Sequence, residues 1–280
     1  MSIKTPVCLI CQTLNLSRSA YYYRKKHPVT AREAAYGQLK AKAQALFLEN
    51  NSEYGRIRLH KALKEAGEKV SLGKTARLMR DAGLVPRAKR VYKATTNSQH
   101  HDPVAENRLN QDFEAQAPNQ KWCGDSTYIP TDEGWLYVAG ILDLCDRTCV
   151  GLDFSPCHTK ELMLKTLDHA KQRYRPNAGL IFHSDRGVQY ASNAYRERLE
   201  SYGMIQSMSR SGNPYDNAVM ESFWATVKKG CVFGEHFKTR KAAEQAIFQY
   251  VFGFYNTRRY HTSLGLKTPL EYRQQFFELA

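Results

Sequence analysis

The alternation of apolar and polar positions changes character part-way along the chain. Up to about residue 85 the period is helical. Val7, Leu9, Ile10 and Leu14 precede a break at Asn15, and Ser17 is placed to cap a short helix carrying Tyr21, Tyr22, Arg24, Lys25 and Lys26. Thr30 to Asn50 predicts a longer, Ala-rich amphipathic helix with Leu39, Leu46 and Leu48. Arg56 to Ala66 predicts another, ended by Gly67; Ser71 then opens a helix over Leu72 to Ala82, closed by Gly83. Leu63, Leu72, Ala76, Met79 and Leu84 are the expected core of this pair, with Lys74, Arg77 and Arg80 left outside. From Lys121 the period shortens. Trp122 to Pro130, Trp135 to Asp143 and Thr148 to Phe154 predict three strands joined by short turns, a meander. Helix (Lys160 to Tyr174), strand (Gly179 to Ser184), helix (Asn193 to Tyr202), strand (Ile205 to Met208) and helix (Pro214 to about Lys229) follow. This order predicts an α/β mixed five-stranded sheet with flanking helices, preceded by an all-α helix-turn-helix region. The expected divisions are a helical region over 1–95 (best helix-turn-helix 54–85), a linker over 96–118, an α/β core over 119–232 and a helical, basic-aromatic extension over 233–280. Between the halves, Pro86, Arg87, Lys89, Arg90, Lys93, a polar run and Pro103 and Pro118 offer little to bury.

Hydrophobic residues make up 42% of the 280, enough for real cores, which excludes wholesale disorder. A mean hydropathy of −0.58, and an apolar run from Trp135 that meets Asp143 and Asp146, argue against a membrane span. No secretory signal precedes the first helix, and a cytoplasmic protein is expected. Charge is uneven. Residues 1–110 carry 21 Lys+Arg against 8 Asp+Glu, whereas residues 111–280 carry 20 against 19. A basic module beside a near-neutral one points to polyanion binding tethered to another task. Seven irregularly spaced cysteines suit a reducing compartment. Cys8 and Cys11 form a lone C-x-x-C with no second pair, so buried helix thiols are favoured over a zinc site.

Three carboxylates stand out. Asp125 lies inside the first strand, where Asp is disfavoured; Asp185 directly follows the fourth; Glu221 lies in the helix opened by Pro214. Carboxylates brought together repel unless a cation joins them. Oxygen-only ligands suit Mg²⁺, with Mn²⁺ as substitute, and two ions roughly 3.5–4 Å apart serve phosphodiester chemistry.

The words around them carry a resemblance. Lys121-Trp122-x-x-Asp125-x-Thr127, His183-Ser184-Asp185-Arg186-Gly187-x-Gln189-Tyr190, the run from Ser211 through Glu221 to Phe223, and Tyr255-Asn256 to His261 with Gly265, Pro269 and Tyr272 resemble the IS-three family of bacterial insertion-sequence transposases, in their second-frame (B) protein. Asp125 precedes Asp185 by 60 positions, and 35 residues separate Asp185 from Glu221. This is similar to the DDE triad of the retroviral-integrase and transposase superfamily. Tyr54-Gly55-x-x-Arg58-Leu59 through Leu78-Met79-Arg80 resembles the family's helix-turn-helix. The resemblance implies a ribonuclease-H-like integrase core, Asp125, Asp185 and Glu221 as catalytic metal ligands, and nicking and strand transfer at the element's 3′ ends. It also implies an upstream-frame A protein as partner, fused by frameshift or separate. A homo-oligomer on double-stranded DNA is expected, because two ends must meet, and the nucleoid is the expected location when bound.

Around the triad several readings stay open. Lys228, seven residues after Glu221, is either a contact to the DNA end or a solvated helix-terminal lysine. Asn217 either positions the active-site face or stabilises the helix start. His183 and Arg186 flank Asp185 and could touch phosphate, although His183 also fits a strand-end histidine. Trp122 reads as core rather than a base-stacking platform. Lys74, Arg77 and Arg80 read as phosphate contacts, against an ordinary helical hairpin with solvated charges. Tyr255, Arg258, Arg259, Tyr260 and His261 either grip nucleic acid or cap the core. Two other functions compete: a helix-turn-helix regulator with an inactive core, and a nuclease that hydrolyses without joining.

Overall fold

The computed structural model describes residues 6–27, 29–87, 105–210 and 213–278, and the chain divides into two compact units, Met1–Val85 and Pro86–Ala280. Lys89, Arg90, Lys93, Ser211 and Gly212 lie outside the described residues.

The first unit is helical throughout: α1 (Val7–Thr13), α2 (Arg18–Lys26), α3 (Ala31–Glu49), α4 (Arg56–Glu65) and α5 (Leu72–Asp81). Three of the five starts are capped by side chains. The Ser17 side chain accepts the Ala20 N–H, and Ser71 accepts that of Lys74. Thr30 and Glu33 form a reciprocal capping box. The expected core needs correction. Leu72 and Leu48 are exposed and Ala76 and Leu84 only half-buried, while Leu78 is fully buried. The Ser71 cap sets the phase of α5, so that Thr75, Leu78 and Met79 turn inward, one turn beyond Leu72. Ala43 and Phe47 share the inward face of α3 with Leu39, at intervals of four. Cys8, expected buried, is exposed; Cys11 is buried.

The second unit is built on β1 (Lys121–Thr131), β2 (Gly134–Asp143), β3 (Cys149–Ser155), β4 (Ile181–Ser184) and β5 (Ile205–Met208), in the order β3-β2-β1-β4-β5. The first three form an antiparallel meander, and β4 and β5 run parallel to β1. One face carries α6 (Lys160–Tyr174), a short α7 (Val188–Ala191) that the pattern does not announce, and α8 (Asn193–Ser201). Trp122, Phe182, Tyr195 and Leu167 are fully buried there. Pro214–Asn217 forms a 3₁₀ turn leading into α9 (Ala218–Cys231).

Residues 105–118, expected as linker, pack onto this unit instead. Leu109 is buried, Ser207 Oγ accepts the Arg108 and Leu109 N–H groups, and the Asn107 and Gln111 amides donate to Asp216. The extension comprises α10 (Arg240–Phe248), a π-helical turn Gln249–Tyr255 and α11 (Pro269–Glu278). Three aromatics around the basic run belong to the interior: Phe254, Tyr255 and Tyr260 are buried, and Asn256 clasps both backbone groups of Cys149 on the edge strand β3. Arg273 of α11 reaches buried Asp143 and Asp146. Among the described residues no helix is long and apolar enough to cross a membrane.

Candidate active site

Three elements converge on the carboxylates. Gly124 of β1 and Ser184 of β4 are register partners in a parallel pair, so Asp125 and Asp185, one residue further on, leave neighbouring strands at the same level. Across the antiparallel pair Asp125 faces Gly140. A Cβ at Gly140 would come within 2.9 Å of the Trp224 ring, and this bare backbone is what admits α9. Glu221 lies one turn before Trp224 on that helix. The buried Asn217 Oδ1 accepts the Cys123 thiol at 3.2 Å, pinning the helix start to β1 two residues before Asp125. Asp185 Oδ1 accepts the Gly187 N–H at 2.9 Å, and a Cβ at Gly187 would press to 3.0 Å of that oxygen.

The electrostatics agree with the placement. Burial, followed by the Asp185 carboxylate, pushes Asp125 well above the usual carboxylate range; the Ser126 N–H opposes this, Glu221 adds to it and Lys228 offsets it. Asp185 and Glu221 both act on the Asp125 carboxyl. Among the described residues no three His, Cys, Asp or Glu side chains stand close enough to grip an ion as they lie. Glu221 is exposed, and Asp125 and Asp185 are half-buried.

Lys228 is not a solvated helix-terminal lysine. It is 5% exposed, its ammonium lies 5.5 Å from the Tyr128 ring centroid, and burial lowers its pKa to about 8 although Asp125 pulls it upward. His183 is no phosphate ligand. It is fully buried, its Nδ1 is 2.9 Å from Ser207 Oγ and its Nε2 3.2 Å from Ser209 Oγ, and burial lowers its pKa to about 4. Ser207 Oγ already accepts two backbone N–H groups, so its proton goes to Nδ1 and the imidazole is neutral. Trp122 is core, its indole N–H donating to Asp143. Arg186 is half-buried, with Nε donating to the Ser209 carbonyl. Arg259 lies over the Tyr255 ring in the extension and Arg258 is exposed there. Lys74, Arg77 and Arg80 are exposed on α5 of the other unit.

One residue at the site has no counterpart in the sequence reading. His158, between β3 and α6, has Nε2 2.9 Å from Ser126 Oγ and Nδ1 3.1 Å from the Gln189 amide, and its ring stacks on Tyr137 at 5.1 Å. It bridges the residue after Asp125 to α7, which follows Asp185. Burial lowers its pKa, with Asp185 acting in the opposite sense. Its partners lie about thirty residues away on either side, so no local word marks it.

Comparison with known proteins bears on the same regions. Integrase core domain profiles match residues 115–214 and 202–269, and an HTH-like domain profile matches residues 35–92. The insertion element IS600 uncharacterized 31 kDa protein of Shigella sonnei is 42% identical over 97% of this chain and 100% of its own length. The transposase for insertion sequence element IS904 of Lactococcus lactis is 39% identical over 84% of this chain and 93% of its own. The transposase InsF for insertion sequence IS3A of Escherichia coli is 35% identical over 95% and 93%. Among solved structures, a simian T-cell lymphotropic virus intasome has a TM-score of 0.48 at 16% identity, covering 79% of this chain and 70% of that one. The HTLV-2 integrase catalytic core in complex with magnesium has 0.46 at 15%, covering 57% and 99%.

Proposed function

This chain belongs to the insertion-sequence transposases with an integrase core domain, and on that premise we propose that it nicks the 3′ ends of its element and joins them to DNA through Asp125, Asp185 and Glu221. The observation that carries the reading is the level pairing of Asp125 and Asp185 on β1 and β4, with the helix of Glu221 seated on Gly140.

The donor set fits a hard divalent cation. Burial first, and then the Asp185 and Glu221 charges, drive Asp125 toward protonation, and a cation among the three carboxylates would offset both. All three donors are oxygen, which suits Mg²⁺, or Mn²⁺ in its place, and two ions per site. When bound, such ions lower the pKa of an attacking hydroxyl and neutralise charge on the departing oxygen. Asp125 and Asp185 hold their positions through the strand pair and the Gly187 N–H; Glu221 closes from α9. The His158 bridge ties β1 to α7, next to Asp185. Lys228 places a buried positive charge near Asp125 and offsets part of the repulsion there. In the joining step a 3′-hydroxyl oxygen bonds to phosphorus as a phosphodiester P–O bond breaks. Its proton passes to solvent, and the leaving 3′-oxygen takes one up. One ester replaces another, so no energy source is consumed.

The helical unit supplies DNA affinity, with Lys74, Arg77 and Arg80 on phosphates. Arg186 and Arg258 are further proposed DNA contacts, and Arg259 supports the fold of the extension through Tyr255. The proposed partners are element-end and target duplexes, a second copy of this chain and the upstream-frame A protein, all meeting on nucleoid DNA in the cytoplasm.

The test uses DNA ends from the element's flanks with this chain and its frame-extended form, under Mg²⁺, Mn²⁺ or chelator. Joined product that needs metal and disappears in Glu221→Gln, with DNA affinity within about twofold of wild type, is the expected result. Joining that persists in Glu221→Gln would remove the triad assignment. Nicking without joining would make the chain a nuclease, and binding with neither a regulator.

A further inference from the structure

A second cleft lies at the opposite end of the same strands. It has a volume of about 920 Å³ and opens between the start of β1, the C-terminal end of α6 and the last turns of α11. Lys121 and Ile181 border it, and Asp125 and Asp185 lie four residues further along their strands, roughly 13 Å away at the rise of extended chain. The cleft and the carboxylates therefore lie at opposite ends of the same strand pair.

The lining is cationic and aromatic. It includes Lys121, Arg173, Arg175 and Arg273, and no acidic residue among those described. Lys121 is balanced by Asp112, and Arg273 by Asp143 and Asp146. Arg173 and Arg175 are exposed and have no carboxylate partner among the described residues, so the surplus charge is theirs. Both are preorganised. The Arg173 guanidinium lies 5.6 Å from the Tyr174 ring centroid and 5.4 Å from that of Phe252, which holds it extended without neutralising it. Arg175 ends α6 in the left-handed conformation, φ 45° and ψ 51°, where glycine is the usual residue. Phe277, 66% exposed, adds an apolar lip.

We propose that this cleft seats the backbone of a second DNA duplex, distinct from the one at the carboxylates, and holds it without regard to sequence. Two guanidiniums without a carboxylate partner match the repeating phosphates of a duplex, and contacts to phosphate hold the backbone without reading a base edge. The assignment rests on the reading above for the identity of the polyanion. It gives the protein two DNA-holding surfaces on one sheet, as an enzyme that joins one DNA to another requires.

The test measures binding of a random-sequence duplex to the full chain, in chelator, as salt is varied. The double variant Arg173→Gln, Arg175→Gly should lower affinity about tenfold and reduce the slope of log K against log salt by about 2, near 0.9 for each lost phosphate contact. Arg173→Lys, Arg175→Lys should restore the slope. Glycine suits the backbone at 175, so an unchanged melting temperature in the first variant is expected and separates lost contacts from lost folding. Glu221→Gln in parallel should keep the wild-type slope. An unchanged slope in the double variant overturns the proposal; if sedimentation then shows a change in oligomeric state, the cleft is a protein interface instead. Absence of metal-dependent nicking by the wild type would strike the triad reading and leave this slope measurement standing.

Discussion

Asp216 is the residue on which three segments of the second unit depend. It is buried, and its oxygens accept from Asn107, Gln111 and both the backbone and guanidinium of Arg210. The Arg210 hydrogen bond, against the cost of burial, holds its pKa well below the usual carboxylate range. A depressed folded pKa contributes stability that is complete above the unfolded value, about 3.9, and is lost as pH falls through the folded one. Asp216→Asn should therefore cost about 2–3 kcal/mol at pH 7, the scale of hydrogen bonds to a charged group. The gap to wild type should narrow as urea unfolding is repeated toward pH 3. A constant gap would mean that the charge is irrelevant. The sequence showed Asp216 only as one letter of a familiar word, since the partners at 107 and 111 lie more than a hundred residues away.

At the scale of elements, glycines decide how closely helices approach the sheet. Gly140→Ala would drive a methyl group into the Trp224 ring and lift α9 from β2. A loss of about 1–3 kcal/mol in stability is expected, as for other overpacked cores. Joining activity should fall more steeply than DNA affinity, because Glu221 rides on the displaced helix; equal falls in both would count against that coupling. On the helical side, α5 exposes Arg77 and Arg80 while Thr75, Leu78 and Met79 are buried. Arg77→Ala or Arg80→Ala should each flatten the salt dependence of DNA binding by about one unit of slope and leave the helical content unchanged by circular dichroism. Strand and helix limits were legible to within one or two residues for most elements, because periodicity and caps are local. The short α7 and the packing of residues 105–118 were not, since both depend on surfaces supplied by β4, β5 and Asp216.

For the molecule as a whole, the extension is clamped to the meander by one buried ion cluster. Arg273 donates to Asp143 and Asp146 and, through its second nitrogen, to Asn119. Arg273→Met would leave two carboxylates buried without their cation, at a cost of about 3–5 kcal/mol near neutral pH. Burial raises Asp146 to about 6, with the Asp143 charge adding to it and Arg273 opposing. A raised folded pKa favours the folded state most below the unfolded value, and that contribution is lost as pH rises through about 6. The variant should accordingly recover part of its deficit between pH 7 and pH 5, which thermal melts across that range would show. A deficit that grows on acidification would assign the cluster a different charge state.

Composition and spacing by themselves determined the division of labour: a basic helical part, a near-neutral α/β part and three carboxylates placed at a strand interior, a strand end and a helix. Charge, period and motif are properties of the chain that survive without knowledge of its folding partners. Only the tertiary structure decided the state of the side chains around those carboxylates. Lys228 and His183 are buried rather than available to solvent, Phe254, Tyr255 and Tyr260 of the extension face inward, and His158 joins Ser126 to Gln189. Burial and hydrogen bonding are set by what the sheet and helices bring from distant positions, and a linear pattern holds no measure of that distance.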